Sequence, residues 1–303
     1  MSKLAKFFIV CAAVCVLGIM MTFAGYAAGG ADNLDKVAEK HDWLNIGPNA
    51  TETDLLPVGE FKSIEAEGSL DIAIIAPGKD MSDEEVPDFI EDIYTEGVVE
   101  TVAVKWGNHT GMPEVTNDNG VLRIKGSTET IDGGVVNLSG DDPSPDVIVF
   151  CSADELENIS VNGLYGDIAI VGVKSKSITA TADSGDIELD DVVSSDVTAE
   201  TQTGDIDVRN IAGSKLTLKA NAGDVDIEMC DGEISAETTY GDIEFATNLP
   251  QSQYEVSVST NAGTISIGEE EIESENEFSL AGGPNKLMLR TDTGDIDADF
   301  LED

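Results

Sequence analysis

Apolar and polar residues alternate in short runs along most of this chain. In FKSIEAEGSLDIAII, starting at Phe61, the residues Ile64 and Ala66, then Leu70, Ile72 and Ile74, occupy every second position. A period of two puts such residues on one face of a β-strand. The alternation returns in VVETVAVKW (98–106) and VLRIKG (121–126). Between the first two runs, residues 76–97 read as an acidic insertion with a short helix around FIEDIY, and GDDPSPD (140–146) reads as a turn-rich joint.

From residue 159 to 298 the alternation becomes a repeat. Gly166, Gly185, Gly204, Gly223, Gly241, Gly263 and Gly294 are spaced by 19, 19, 19, 18, 22 and 31 residues. Asp follows each glycine except Gly263, where Thr264 takes its place. Two residues after the glycine stand Ile168, Ile187, Ile206, Val225, Ile243, Ile265 and Ile296. Four after it stand Ile170, Leu189, Val208, Ile227, Phe245, Ile267 and Ala298. Val173, Val192, Ile211 and Cys230 hold the seventh place in the first four repeats. A second strand follows in each, marked by pairs such as Ile178 with Ala180 and Leu216 with Leu218. A period near 20 residues signals a solenoid, since one coil cannot bury its own apolar face and stacked coils can. The expected fold is all-β: one parallel β-solenoid with coils of about 19 residues, two short strands per coil and a narrow aliphatic core. The expected organisation is an N-terminal segment 1–30, a juxtamembrane linker 31–60 and a solenoid domain 61–303. DADFLED at the chain end is expected to cap the last coil through Phe300 and Leu301.

Residues 7–30, FFIVCAAVCVLGIMMTFAGYAAGG, carry no charge and follow Lys3 and Lys6. Their length suffices for a membrane-spanning helix, and the two lysines place the rest of the chain outside the cytoplasm. The competing reading is a cleaved signal peptide, with Gly25 and Ala27 as a weak cleavage site. Either way residues 31–303 are exported, membrane-anchored in the first case and secreted in the second.

The exported part contains Cys151 and Cys230. Cys230 falls in the apolar seventh column, and several coils at about 4.8 Å each separate it from Cys151. That is beyond disulfide reach, so two unpaired, buried thiols are expected.

Charge then narrows the function. Sixty acidic residues against sixteen basic ones leave a net charge of −44. Such a field repels nucleic acid and attracts cations or basic partners. Beside each repeat glycine the aspartate suits turn-amide hydrogen bonding. A second acid lies two residues on, giving the pairs Asp186 with Glu188, Asp205 with Asp207, Asp224 with Asp226, and Asp242 with Glu244, then Asp295 with Asp297. Stacking makes these two outward acidic columns, whose repulsion a hard cation such as calcium could relieve. The repeat lacks the second glycine of nonapeptide calcium-binding repeats, so no cofactor is expected beyond weak, diffuse Ca²⁺ association. No GxSxG, phosphate-binding glycine loop or zinc spacing occurs, and His41 and His109 stand apart. The acids recur in every coil, whereas a catalytic pair would be a local exception, so no enzymatic activity and no small-molecule substrate are expected. Trp106, Tyr165 and Tyr240 are the candidate exposed aromatics; the two tyrosines each precede a repeat glycine and would share one edge.

The export segment ending in AGG, the FKSIEAEGSLDIAII strand and the recurring GDI units together resemble the bacterial β-strand-repeat family of putative adhesins, a domain family of unknown function found in cell envelopes. The resemblance covers about 61–298 apart from the insertion. It implies a surface-facing, right-handed solenoid on a single membrane anchor, and it supplies no catalytic residues. The function expected from all of this is a non-enzymatic extracytoplasmic binding or scaffold protein whose partner is a cell-wall glycan or another envelope protein. The alternative is a divalent-cation-responsive sensor or assembly factor.

Overall fold

The computed structural model describes residues 52–76, 101–106, 113–126, 147–152, 155–211, 214–268, 270–272 and 276–301. The expected N-terminal helix, the insertion 76–97 beyond Ala76, the joint 140–146, His41 and His109 lie outside them. Among the described residues no helix is long and apolar enough to cross a membrane. All of them belong to one compact unit, Thr51–Thr128 with Pro143–Asp303.

The alternating runs form strands, in chain order β1 (Glu52–Pro57), β2 (Ser63–Gly68), β3 (Ile72–Ile75), β4 (Thr101–Trp106), β5 (Glu114–Asp118), β6 (Val121–Lys125) and β7 (Val147–Phe150). The regular repeats follow as long–short pairs: β8 (Asn158–Tyr165) with β9 (Ile168–Val171), β10 (Ser177–Ser184) with β11 (Ile187–Asp190), and β12 (Asp196–Thr201) with β13 (Ile206–Arg209). Next come β14 (Ser214–Ala222) with β15 (Val225–Glu228) and β16 (Gly232–Tyr240) with β17 (Ile243–Pro250). The chain closes with β18 (Tyr254–Thr260), β19 (Ile265–Ile267), β20 (Glu270–Glu271), β21 (Glu277–Leu280), β22 (Asn285–Thr293) and β23 (Ile296–Leu301).

Short strands stack into one sheet and long strands into a second, giving the expected parallel solenoid with two strands per coil. Register is set by the repeat itself. Ile187 lies beside Ile168 on one side and Ile206 on the other, and Val197 lies between Ile178 and Leu216. The seventh-place residues Val173, Val192, Ile211 and Cys230 close the corner of the same buried core. A one-residue slip would turn every one of these side chains to water, so the burial pattern holds the alignment.

The coils do not stack in chain order. The coil β22–β23 is inserted between β16–β17 and β18–β19, so the outermost coil at this end is an internal excursion of the chain. The other end mirrors it. There β2 lies between β6 and β8, and β3 between β7 and β9, which puts the later β6 and β7 outside the earlier β2 and β3. Antiparallel strands finish both sheets: β5 and β21 on the long-strand sheet, β4 with β1 and β20 on the short-strand sheet. Parallel pairing would continue into another copy; reversed strands, with Pro57 in β1 and Glu114, Asp118 and Glu277 in the others, blunt that tendency.

Two expectations are corrected by this topology. Residues 52–57, read as linker, pair along their length with β4 and belong to the short-strand sheet. Phe300 does not cap a last coil. It packs, partly buried, against the core, 5.6 Å from Phe245 and 5.5 Å from Tyr254 between ring centroids, while Leu301 stays exposed. The C-terminal coil is interior because the coil preceding it in sequence loops over it.

Candidate functional site

The repeat glycine occupies a corner where successive coils touch backbone to backbone. At Gly204 φ is +141°, and a Cβ there would strike the carbonyl of Gly185 in the coil below. Only glycine satisfies both demands. The contact brings the next residue's N–H beside the aspartate of the neighbouring coil. Asp186 N–H donates to Asp167 Oδ1 at 2.8 Å, Asp205 N–H to Asp186 Oδ1 at 2.8 Å, and Asp224 N–H to Asp205 Oδ1 at 2.7 Å. The ladder continues through Asp242 and Asp295 to Thr264, and it begins at Asp71, which accepts from Asp167 N–H at 2.9 Å. The expected amide partner is real, but it belongs to the adjacent coil and not to the aspartate's own turn. Each carboxylate needs only one oxygen for this bond.

The second column runs along the outer face of the short-strand sheet, in the order Glu188, Asp207, Asp226, Glu244 and Asp297. Ala169 precedes it and Ser266 follows it. No base stands within it; Arg209 lies in the adjacent column, between Asp190 and Glu228, 3.6 Å from the latter. Partial burial, followed by the charge of Asp226, raises the Asp207 carboxyl. Partial burial and Glu228 raise Asp226. Glu244 is raised first by Asp226 and then by burial, and Asp297 by burial and Asp299. All eight carboxylates of the expected cation columns therefore lie in two strings along the stack. Among the described residues, no group of three or more His, Cys, Asp or Glu is placed to hold a metal ion.

The long-strand sheet is charged differently. Arg123 meets Glu65 at 3.0 Å, Lys125 meets Glu67 at 2.9 Å and Lys219 meets Glu200 at 3.4 Å, each pair bridging adjacent coils. Opposite charges thus alternate up this face, while like charges accumulate on the other. Glu–Lys and Glu–Arg pairs at this exposure contribute little individually, and their arrangement favours the observed register.

Cys151 and Cys230 are both buried and unpaired, as expected. Burial pushes the Cys151 thiol up to about 12 and the Cys230 thiol up to about 11, so neither supplies a thiolate nucleophile near neutral pH. Tyr165 and Tyr240 stand on one edge, exposed by 55% and 62%. The side chain of Trp106 lies outside the described residues. Two features escaped sequence reasoning. Tyr254 is fully buried and donates to the Cys230 carbonyl at 3.0 Å. Ala73, Ile75, Ile148, Phe150 and Ala169 form a buried apolar patch on the outer side of the first short strands. The unbroken apolar runs IAII, VIVF and IAIV were the signal for the patch, since a strand buried on both faces loses its alternation.

A solenoid of paired short and long strands, stacked through a glycine–aspartate ladder, defines the class of this protein. The chain belongs to the Toastrack DUF4097 family, which it matches over residues 110–298. Among solved structures it is similar to a putative adhesin from Bacteroides fragilis NCTC 9343, with 15% identity and a TM-score of 0.45, over 82% of this chain and 96% of that one. It is also similar to a putative cell adhesion protein from Clostridium sporogenes ATCC 15579, with 11% identity and a TM-score of 0.37, over 83% of this chain and 99% of that one. No curated protein matches it.

Proposed function

We propose that this chain is a non-enzymatic binding scaffold of the cell envelope, anchored or exported by residues 7–30 and presenting its solenoid outside the membrane. The observation that carries the reading is the uniformity of the surface. The acids, hydroxyls and glycines recur coil after coil in structural positions, and the ladder engages the carboxylate that every repeat but the Gly263 one shares. A catalytic constellation requires a nucleophile or acid–base pair set apart by its surroundings. Here the thiols are buried and protonated, and the raised carboxylates are consecutive members of one column. A rigid array of this kind suits adhesion to an extended or repeating partner.

The test is sedimentation of the full chain with isolated envelope material, alongside an assay for glycan cleavage. Saturable co-sedimentation without cleavage supports the scaffold. Cleavage abolished by changing one carboxylate pair, while the equivalent pair in another coil is dispensable, would replace it with an enzyme. Protease accessibility of the solenoid in intact cells tests the export.

A further inference from the structure

We propose that the edge carrying Tyr165 and Tyr240 binds an extended amino-sugar polymer lying along the stack, its sugar faces on the two rings and its ammonium and hydroxyl groups on the aspartate ladder. The inference rests on the scaffold reading and assigns it a ligand class.

The two tyrosines occupy the same place in their coils, each immediately before the corner glycine. Ser184 pairs with Tyr165, Thr203 and Ala222 follow, and Tyr240 pairs with Ala222. Four rungs at roughly 4.8 Å separate the rings by about 19 Å. Only Ser184, Thr203 and Ala222 stand between them, so two large rings overlook a floor of small side chains. Both residues are more than half exposed, and neither belongs to the aromatic cluster of Phe245, Tyr254 and Phe300. Packing into that cluster therefore does not account for an aromatic at either position.

The chemistry beside the rings selects the occupant. The exposed aspartates of the ladder run parallel to the floor, and each has an oxygen that the ladder does not use. They accept hydrogen bonds from hydroxyls and attract ammonium groups, while the net charge of −44 repels polyanions. An added peptide strand finds no template here, because the corner amides already donate to the next coil, Gly185 N–H to Thr203 O and Gly204 N–H to Ala222 O. A β-augmentation mode needs an unpaired backbone edge. A polymer recognised by its ring faces and its amines needs none, and tyrosine offers both a stacking surface and a cation–π partner.

Binding of the full chain to a fully deacetylated glucosamine hexamer tests this, with the N-acetylated hexamer and hexalysine as companion probes. The expected result is that the deacetylated hexamer binds more tightly than either companion. Tyr165→Ala and Tyr240→Ala should each weaken it about tenfold, the usual scale for truncating an aromatic anchor. Asp205→Asn with Asp224→Asn should weaken it while preserving the melt, since the amide oxygen still accepts the ladder bond. Equal binding of hexalysine with no effect of either tyrosine change would reduce the edge to charge condensation and overturn the proposal. Equally tight binding of the N-acetylated hexamer would overturn the amine assignment, and binding of none would overturn the site. If the chain still sediments with envelope material in that last case, the scaffold reading stands and only the ligand fails; if it does not, both fall.

Discussion

Thr264 interrupts the series of Gly–Asp pairs, and its place in the stack accounts for it. An aspartate is needed only where another coil presents an amide above it. Thr264 lies in the outermost coil, where it donates to Asp295 and no further repeat coil follows. At the opposite end Leu70 takes the glycine's place before Asp71, in the coil where the ladder begins. Asp205→Ala should therefore cost about 1 kcal/mol, the usual net value of one such hydrogen bond, whereas Asp205→Asn should cost much less. Thr264→Asp should leave stability nearly unchanged. Gly204→Ala should be far more damaging, by about 3 kcal/mol or more, because it adds both a clash with Gly185 and a disfavoured φ. Denaturant unfolding of the four variants measures all of these. The glycine and aspartate columns were legible in the spacing, but their partners were not: a hydrogen bond between residues 19 apart and one between residues 53 apart differ only once the stacking order is known.

Between coils, the balance of charge differs from sheet to sheet. The acid column on the short-strand sheet is raised at Asp207, Asp226, Glu244 and Asp297. A carboxyl whose folded pKa lies above its unfolded value binds more protons in the folded state, so lowering the pH favours folding. The melting midpoint should accordingly rise as pH falls from neutral towards the ordinary aspartate value near 3.8. Asp207→Asn with Asp226→Asn should raise the midpoint at pH 7 and flatten that dependence, as should added salt, which screens the same repulsion. Calcium at fixed ionic strength should move the midpoint no further than magnesium does, because the carboxylates lie in strings and not in a cage of six to eight oxygens. A calcium-specific rise lost in Asp205→Asn with Asp224→Asn would instead establish metal sites and favour a cation-responsive sensor. The alternation of acids with apolar residues was readable in GDIEL and GDIDV. On the other sheet Glu200 and Lys219 lie one 19-residue period apart and follow from the repeat, whereas Glu237 and Arg290 become neighbours only through the out-of-order stacking of β22 on β16.

At the level of the whole molecule, neither end of the stack is an end of the repeat array in sequence. Deleting residues 285–303 removes an interior coil, and Tyr254–Ile267 then loses the coil on which it rests. Such a deletion should abolish protease resistance of residues 254–267 as well, and broaden the unfolding transition. In a solenoid stacked in chain order the same truncation would trim one coil and leave the rest. Nearest-neighbour coupling makes the difference, since each coil is stabilised chiefly by the two it touches.

The amino-acid sequence by itself determined the coil. Period-two alternation, a corner glycine and a recurring apolar column specify two strands, an inward face and a 19-residue rise, because these are local consequences of backbone geometry and of excluding apolar groups from water. Only the tertiary structure decided the order of the coils. Ile243, Ile265 and Ile296 are equivalent in pattern, so any of their coils could stack on any other by period alone. The register and order that won assemble the aromatic cluster of Phe245, Tyr254 and Phe300 and close both ends with reversed strands. Those contacts join residues far apart in the chain, and a repeating pattern cannot distinguish among its own copies.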